Sequence, residues 1–143
     1  MANSTIQASI TLQILDNLGV TTNPLMSRIV PPIQYPALSA NYAGYFNLQP
    51  GSSFNALAAV GAVALTFAFV RNATPTNAAN SVIQITLLTE GATNSTLVEL
   101  TPGGCFLIGM PTTVTNALIS ELNISTLNNL GAVVEFLLGT GTA

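Results

Sequence analysis

The stretch that most restricts the fold is residues 97–110, where a short alternating run, Leu-Val-Glu-Leu, meets Thr101-Pro102-Gly103-Gly104 and an apolar run resumes at Cys105. Proline cannot continue a sheet ladder and glycine supplies positive φ, so the chain must bend between Leu100 and Cys105. The pattern predicts a strand, a tight reversal and a second strand, a hairpin over residues 96–100 and 105–110. The rest of the chain repeats that grammar. Ile6, Ala8, Ile10, Leu12 and Ile14 alternate with Gln7, Ser9, Thr11 and Gln13, the period of a half-buried strand. Asp16-Asn17-Leu18-Gly19 then signals a turn.

Residues 20–51 carry Pro24, Pro31, Pro32, Pro36 and Pro50 together with Tyr35, Tyr42, Tyr45 and Phe46. Prolines exclude a helix and confine any strand to an edge, so short extended pieces at 27–33 and 41–48, joined by irregular loops, are expected. From Val63 the alternation returns, and the larger Val63, Leu65, Phe67 and Phe69 are expected to face the core, with Ala64, Thr66 and Ala68 toward a close neighbour. Residues 82–89, rich in Ile, Val and Thr, read as a further strand. Residues 116–130 fit either period; Ile124-Ser125-Thr126 are poor helix formers, which favours a strand. Residues 132–138 close the series.

Eight or nine short strands without a long helix predict an all-β protein, an antiparallel β-sandwich of jelly-roll or related Greek-key type. The expected organisation is a polar N-terminal arm at 1–5, one β-sandwich domain at 6–139 and a frayed tail at 140–143. A length of 143 residues suits one domain with a substantial core.

Charge decides which functions remain. Two arginines, five acids and no lysine make only 5% of residues charged, against about 25% in ordinary soluble domains. The polar surface must therefore come from Thr, Ser, Asn and Gln, which costs little to desolvate and suits a protein packed against copies of itself or a larger assembly. The lack of a basic cluster argues against nucleic acid as partner. The apolar run at 56–70 is about 15 residues, short of the roughly 20 a membrane helix needs, so it is expected to be a buried strand pair or one long bent strand, with no membrane association. The N-terminus has no basic and apolar signal regions, so synthesis in the cytosol is expected.

Without histidine the chain cannot build a Ser-His-Asp or Cys-His nucleophile or an imidazole metal site. Asp16, Glu90, Glu99, Glu121 and Glu135 sit singly, so a carboxylate pair is not indicated. Gly103-Gly104 has no following lysine or helix start and reads as a turn rather than a phosphate cradle. No catalytic, cofactor-binding or metal-binding residue is assigned, and the chain is read as a non-enzyme. Cys105 is expected to be a small buried hydrophobe. The aromatic residues of the Pro-rich segment, Tyr35, Tyr42, Tyr45 and Phe46, are the candidate interface, because tyrosine buries area while its hydroxyl finds a partner.

The Leu-Thr-Pro-Gly-Gly turn at 100–104 and the ending Val-Val-Glu-Phe-Leu-Leu-Gly at 133–139 together resemble the small all-β virion proteins of tailed bacteriophages, most closely head decoration or cement proteins. The resemblance covers about the last third of the chain, residues 97–139, and carries over no individual functional residue. It implies a homotrimeric structural protein on the outer surface of the capsid, whose partners are the major capsid protein and itself. The alternative is a phage fibre or tail-associated module that recognises a surface glycan.

Overall fold

The computed structural model describes residues 4–14, 26–61, 64–78, 80–109 and 118–141. Its elements are β1 (Ser4–Ile14), β2 (Met26–Leu48), β3 (Ser53–Asn55), α1 (Ala56–Val60), β4 (Phe67–Asn72), β5 (Ile83–Thr89), β6 (Thr96–Leu100), β7 (Cys105–Gly109), β8 (Ile119–Thr126) and β9 (Ala132–Gly141). Five strands form one sheet in the order β1-β2-β9-β4-β7, and four form a second in the order β3-β8-β5-β6. Every pairing is antiparallel. With β1 set aside, β2-β9-β4-β7 opposite β3-β8-β5-β6 is the strand order of a jelly roll, so the expected all-β sandwich is present.

The core lies between the sheets. Val70, Val134 and Leu138 from the first sheet meet Ile83, Ile85, Ile119, Leu122 and Ile124 from the second, all fully buried. Strand periodicity produces this in β5, where Ile83, Ile85 and Leu87 are buried and Gln84, Thr86 and Leu88 are partly exposed. The stretch at 116–130 is a strand over its described part, β8, rather than a helix. Ile119, Leu122 and Ile124 are its buried residues, because an extra residue at Ser120 breaks the register between Leu88 and Thr89 and turns the strand by one position.

The organising turn differs from expectation in kind. β6 and β7 do not form a hairpin: β6 pairs with β5 in one sheet and β7 with β4 in the other. Residues 101–104 are a corner that carries the chain across the sandwich. Gly103 takes φ 87°, and its N–H donates to Asn72 O at 2.8 Å, while Asn72 N–H donates to Gly104 O at 2.9 Å. At Gly104 a Cβ would stand 3.0 Å from the Thr101 carbonyl oxygen, so a side chain would fit only if that backbone gave way by a few tenths of an ångström.

The fully buried Asn72 side chain completes the corner. Its Nδ2 donates to Ser81 O at 2.7 Å and Leu100 O at 2.9 Å, and its Oδ1 accepts from Thr74 N at 3.2 Å. One fully buried amide thus ties the end of β4 to β6 of the opposite sheet and to Ser81, two residues before β5.

Three further expectations are corrected. The Pro-rich segment is not two pieces joined by loops; Met26–Leu48 is one strand of 23 residues. Its register against β1 slips by one residue on β2 between Val30 and Ile33 and again between Tyr35 and Leu38, where Pro31, Pro32 and Pro36 lie. Bulges absorb residues that cannot donate to a ladder, so the prolines interrupt the pairing without ending the strand. In β4 the faces are reversed. Ala68 and Val70 face the core, while Phe67 and Phe69 pack with Leu137 in a separate cluster on the other side of the sheet. β4 is a central strand and Ala68 stands directly between Leu138 and Ile108, so the inner face has space for only a small residue there. Cys105 is exposed rather than buried, since it shares the outward face of Arg71 opposite it.

The apolar run at 56–70 is broken into α1, capped by the Asn55 side chain accepting from Ala58 N at 2.9 Å and ended at Gly61 with φ 66°, followed by β4. Ser4, within the expected arm, begins β1, and β9 continues to Gly141 with Thr140 buried. The expected turn at 16–19 lies outside the described residues, as do Met1 to Asn3 of the arm and Thr142 and Ala143 of the tail.

Candidate functional site

Two surfaces meet along the second half of β2. The first is a groove of about 490 Å³ between the β2 margin and the β3-α1 segment of the opposite sheet. Phe46 from β2, Phe54 from β3 and Phe136 from β9 form its floor, with ring centroids 4.2 Å apart for Phe46 and Phe54, 5.8 Å for Phe46 and Phe136 and 5.9 Å for Phe54 and Phe136. Tyr42, Tyr45, Ala59 and Val60 line the rim. Residue choice explains the opening: Gly44 stands opposite Phe136 and has no side chain, so the Phe136 ring fills its place, 3.5 Å from where a Cβ would be. α1 turns Ala56 and Leu57 into the core and leaves Ala58 and Ala59 exposed, which keeps that wall low.

The second surface is the outer face of the five-stranded sheet. Cross-strand register sets Tyr45, Glu135, Arg71 and Cys105 in one row across β2, β9, β4 and β7. Tyr45 Oη donates to Glu135 Oε1 at 2.9 Å, and Arg71 Nη1 lies 3.4 Å from Glu135 Oε2. The phenol of Tyr45 titrates above its ordinary 10.0, first because its hydroxyl is hydrogen-bonded to the Glu135 carboxylate and then because that negative charge opposes a phenolate; Arg71 works the other way. The next row is apolar: Ala43, Leu137, Phe69 and Leu107. Leu107 is 39% exposed, and Phe69 and Leu137 are half-buried over Phe67.

Of the sequence-derived candidates, Tyr42, Tyr45 and Phe46 come together at this groove. Their roles divide. Phe46 is mostly a floor of the groove packed against the core, Tyr45 is 67% exposed and tied to Glu135, and Tyr42 stands at the mouth. Tyr35 is not with them. It pairs with Ile6 in the first half of β2, seven residues earlier along the strand and therefore about 20 Å away. Phe54, Phe136, Leu107 and Leu137 were not singled out as interface residues from the sequence. Phe136 lay within the closing strand that carries the phage resemblance, but no local signal connects residues on three different strands.

The groove presents aromatic rings, methyl groups and two tyrosine hydroxyls, a lining that accepts apolar surface rather than a polar small molecule. Among the described residues, no three of His, Cys, Asp and Glu come together as a metal site. Glu121 accepts from Asn123 Nδ2 at 2.7 Å, and Glu135 is engaged by Tyr45 and Arg71. No described helix is long and apolar enough to cross a membrane.

No protein-family model matches the sequence, and no curated protein matches it. A solved structure described as Drosophila melanogaster CENP-C bound to CAL1 is similar at a TM-score of 0.45 and 12% identity, covering 78% of this chain and 76% of that chain. That similarity is too distant to bear on function.

Proposed function

We propose that the chain is a structural virion protein, a decoration or cement protein that binds the outside of a phage head and bridges neighbouring major capsid protein subunits, acting as a homotrimer. The observation that carries this reading is the outer sheet face, where an apolar row of Leu107, Phe69 and Leu137 lies beside a single ion-paired row on a chain in which only 5% of residues are charged. Such a face can be covered by another protein with little desolvation cost. The phage resemblance of residues 97–139 supports the choice of a shell as the covered partner.

The mechanism is linkage. A protein that binds only the closed shell must be released before the shell opens, which at a concentration 100-fold above Kd adds about 2.7 kcal/mol per site. The reading is tested by mixing the purified chain with undecorated heads and measuring co-sedimentation and the temperature of genome release. Binding with a raised release temperature is expected, and Leu107→Arg should weaken binding at least tenfold while leaving the chain folded. Absence of binding to heads, together with retention on a glycan array, would replace this reading with the fibre-module alternative.

A further inference from the structure

The sheet containing β2 is staggered. Leu38 pairs with Ser4 on one side and with Gly141 on the other, so β1 covers one margin of β2 only up to residue 38 and β9 covers the opposite margin only from there on. Two consequences follow from that register. From Tyr42 to Leu48 the margin of β2 away from β9 has no strand beside it among the described residues, and the aromatic groove opens directly under it. The β1-β2 ribbon, for its part, runs about 40 Å past the end of β9.

We infer that the unpaired margin of β2 beside the Phe46-Phe54-Phe136 groove is the docking site for strand β1 of a second copy of this chain. An unpaired strand margin above an apolar groove recognises one chemistry, an extended segment that supplies main-chain hydrogen bonds and an apolar residue at every second position. β1 has that sequence: Ile6, Ala8, Ile10, Leu12 and Ile14 recur with period two, and Ser4–Ile14 contains no charge, proline or glycine. Natural edge strands usually carry such residues as a guard against pairing, and β1 carries none. Its outer margin is the end of the five-strand order and has no partner strand there among the described residues. Among the described elements β1 packs substantially against β2 alone, and a two-stranded ribbon without further cover is marginal in water. Pairing with a neighbour supplies the third strand.

Donor and acceptor are different surfaces, so the contact is head-to-tail and closes into a ring when the rotation permits. This inference rests on the self-association in the proposed function and names the surfaces that perform it. The test uses the full chain, the groove variant Ala59→Arg, chosen because Ala59 is exposed, and the strand variant Ile6→Lys/Ile10→Lys. Size exclusion with light scattering should give a discrete multiple of 14.7 kDa for the parent chain and 14.7 kDa for both variants, with the far-ultraviolet β signal retained. A labelled peptide of residues 4–14 should bind the strand variant, whose groove is left open, and bind the Ala59→Arg chain at least tenfold more weakly. A monomeric parent chain, an oligomer that survives Ala59→Arg, or equal peptide binding to both variants would overturn the inference. An intact oligomer that responds to both variants but ignores phage heads would instead overturn the decoration reading and leave the strand exchange standing.

Discussion

Replacing Asn72 with leucine keeps the branched outline of a fully buried side chain, adds the bulk of two methyl groups and removes the hydrogen bonds, so the change reports chiefly on the corner amide. Ser81 O and Leu100 O lose their donor and Thr74 N–H loses its acceptor, and all three residues are at most 8% exposed. A buried polar group left without a partner costs about 1–3 kcal/mol. Three such groups, offset by the greater transfer free energy of leucine, leave a net loss of about 3 kcal/mol. A chain of this length has roughly 7–20 kcal/mol of stability in all, so the loss is large. Urea unfolding followed by far-ultraviolet circular dichroism, with a slope of about 2 kcal/mol/M, should show the midpoint falling by about 1.5 M. Asn72→Asp should be worse, because it sets a carboxylate against two carbonyl oxygens in a fully buried site. Asn128→Ala provides the comparison: its Nδ2 also reaches a carbonyl, Asn80 O at 3.0 Å, but it is exposed and should cost no more than about 0.5 kcal/mol. A midpoint shift under about 0.3 M for Asn72→Leu, or an aspartate as stable as the leucine, would refute the reasoning.

Three other outcomes follow from named contacts. Gly103→Ala forces a side chain into φ 87° where the nearest atom is a comfortable 3.8 Å away, so backbone strain alone should cost about 1–2 kcal/mol in the same urea assay. Ala68→Leu, pressed between Leu138 and Ile108, should cost about 1–3 kcal/mol, whereas Phe69→Leu on the outer face should cost under about 1.5 kcal/mol; the opposite ranking would mean that the large face of β4 is the inner one. Spectrophotometric titration should resolve one tyrosine ionising above 10.0, lost in Tyr45→Phe and moved down in Glu135→Gln. Because the folded phenol holds its proton more tightly than the unfolded one, its contribution to stability is present below pH 10.0 and is lost as the pH rises through the folded-state value. An unchanged titration in Glu135→Gln would remove the hydrogen bond as the cause.

Strand existence was legible along most of the chain because strand burial is written locally. Alternation at Ile83, Ile85 and Leu87, or at Leu122 and Ile124, needs no knowledge of the partner strand. The turn at Pro102-Gly103-Gly104 was equally legible as a bend, since the restriction lies in the backbone of those residues themselves. The interface candidates were chosen by residue type alone, which carries no spatial information: Tyr42, Tyr45 and Phe46 line one groove, and Tyr35 is on the other half of the same strand.

What the sequence determined by itself was therefore the class of fold, the positions of most strands outside the Pro-rich segment and the scarcity of charge that shapes any role it has. Only the tertiary structure decided which sheet each strand joins, which face of β4 is inside and where the aromatic floor assembles. The physical reason is the same in each case. A bend of given backbone geometry can return a strand to its neighbour or send it across to the facing sheet, and the choice belongs to partners far away in sequence: β4 for β7, β5 for β6 and the Asn72 amide that joins them. Which face of a central strand is inner depends likewise on the side chains flanking it, here Leu138 and Ile108 crowding the position that only Ala68 fits.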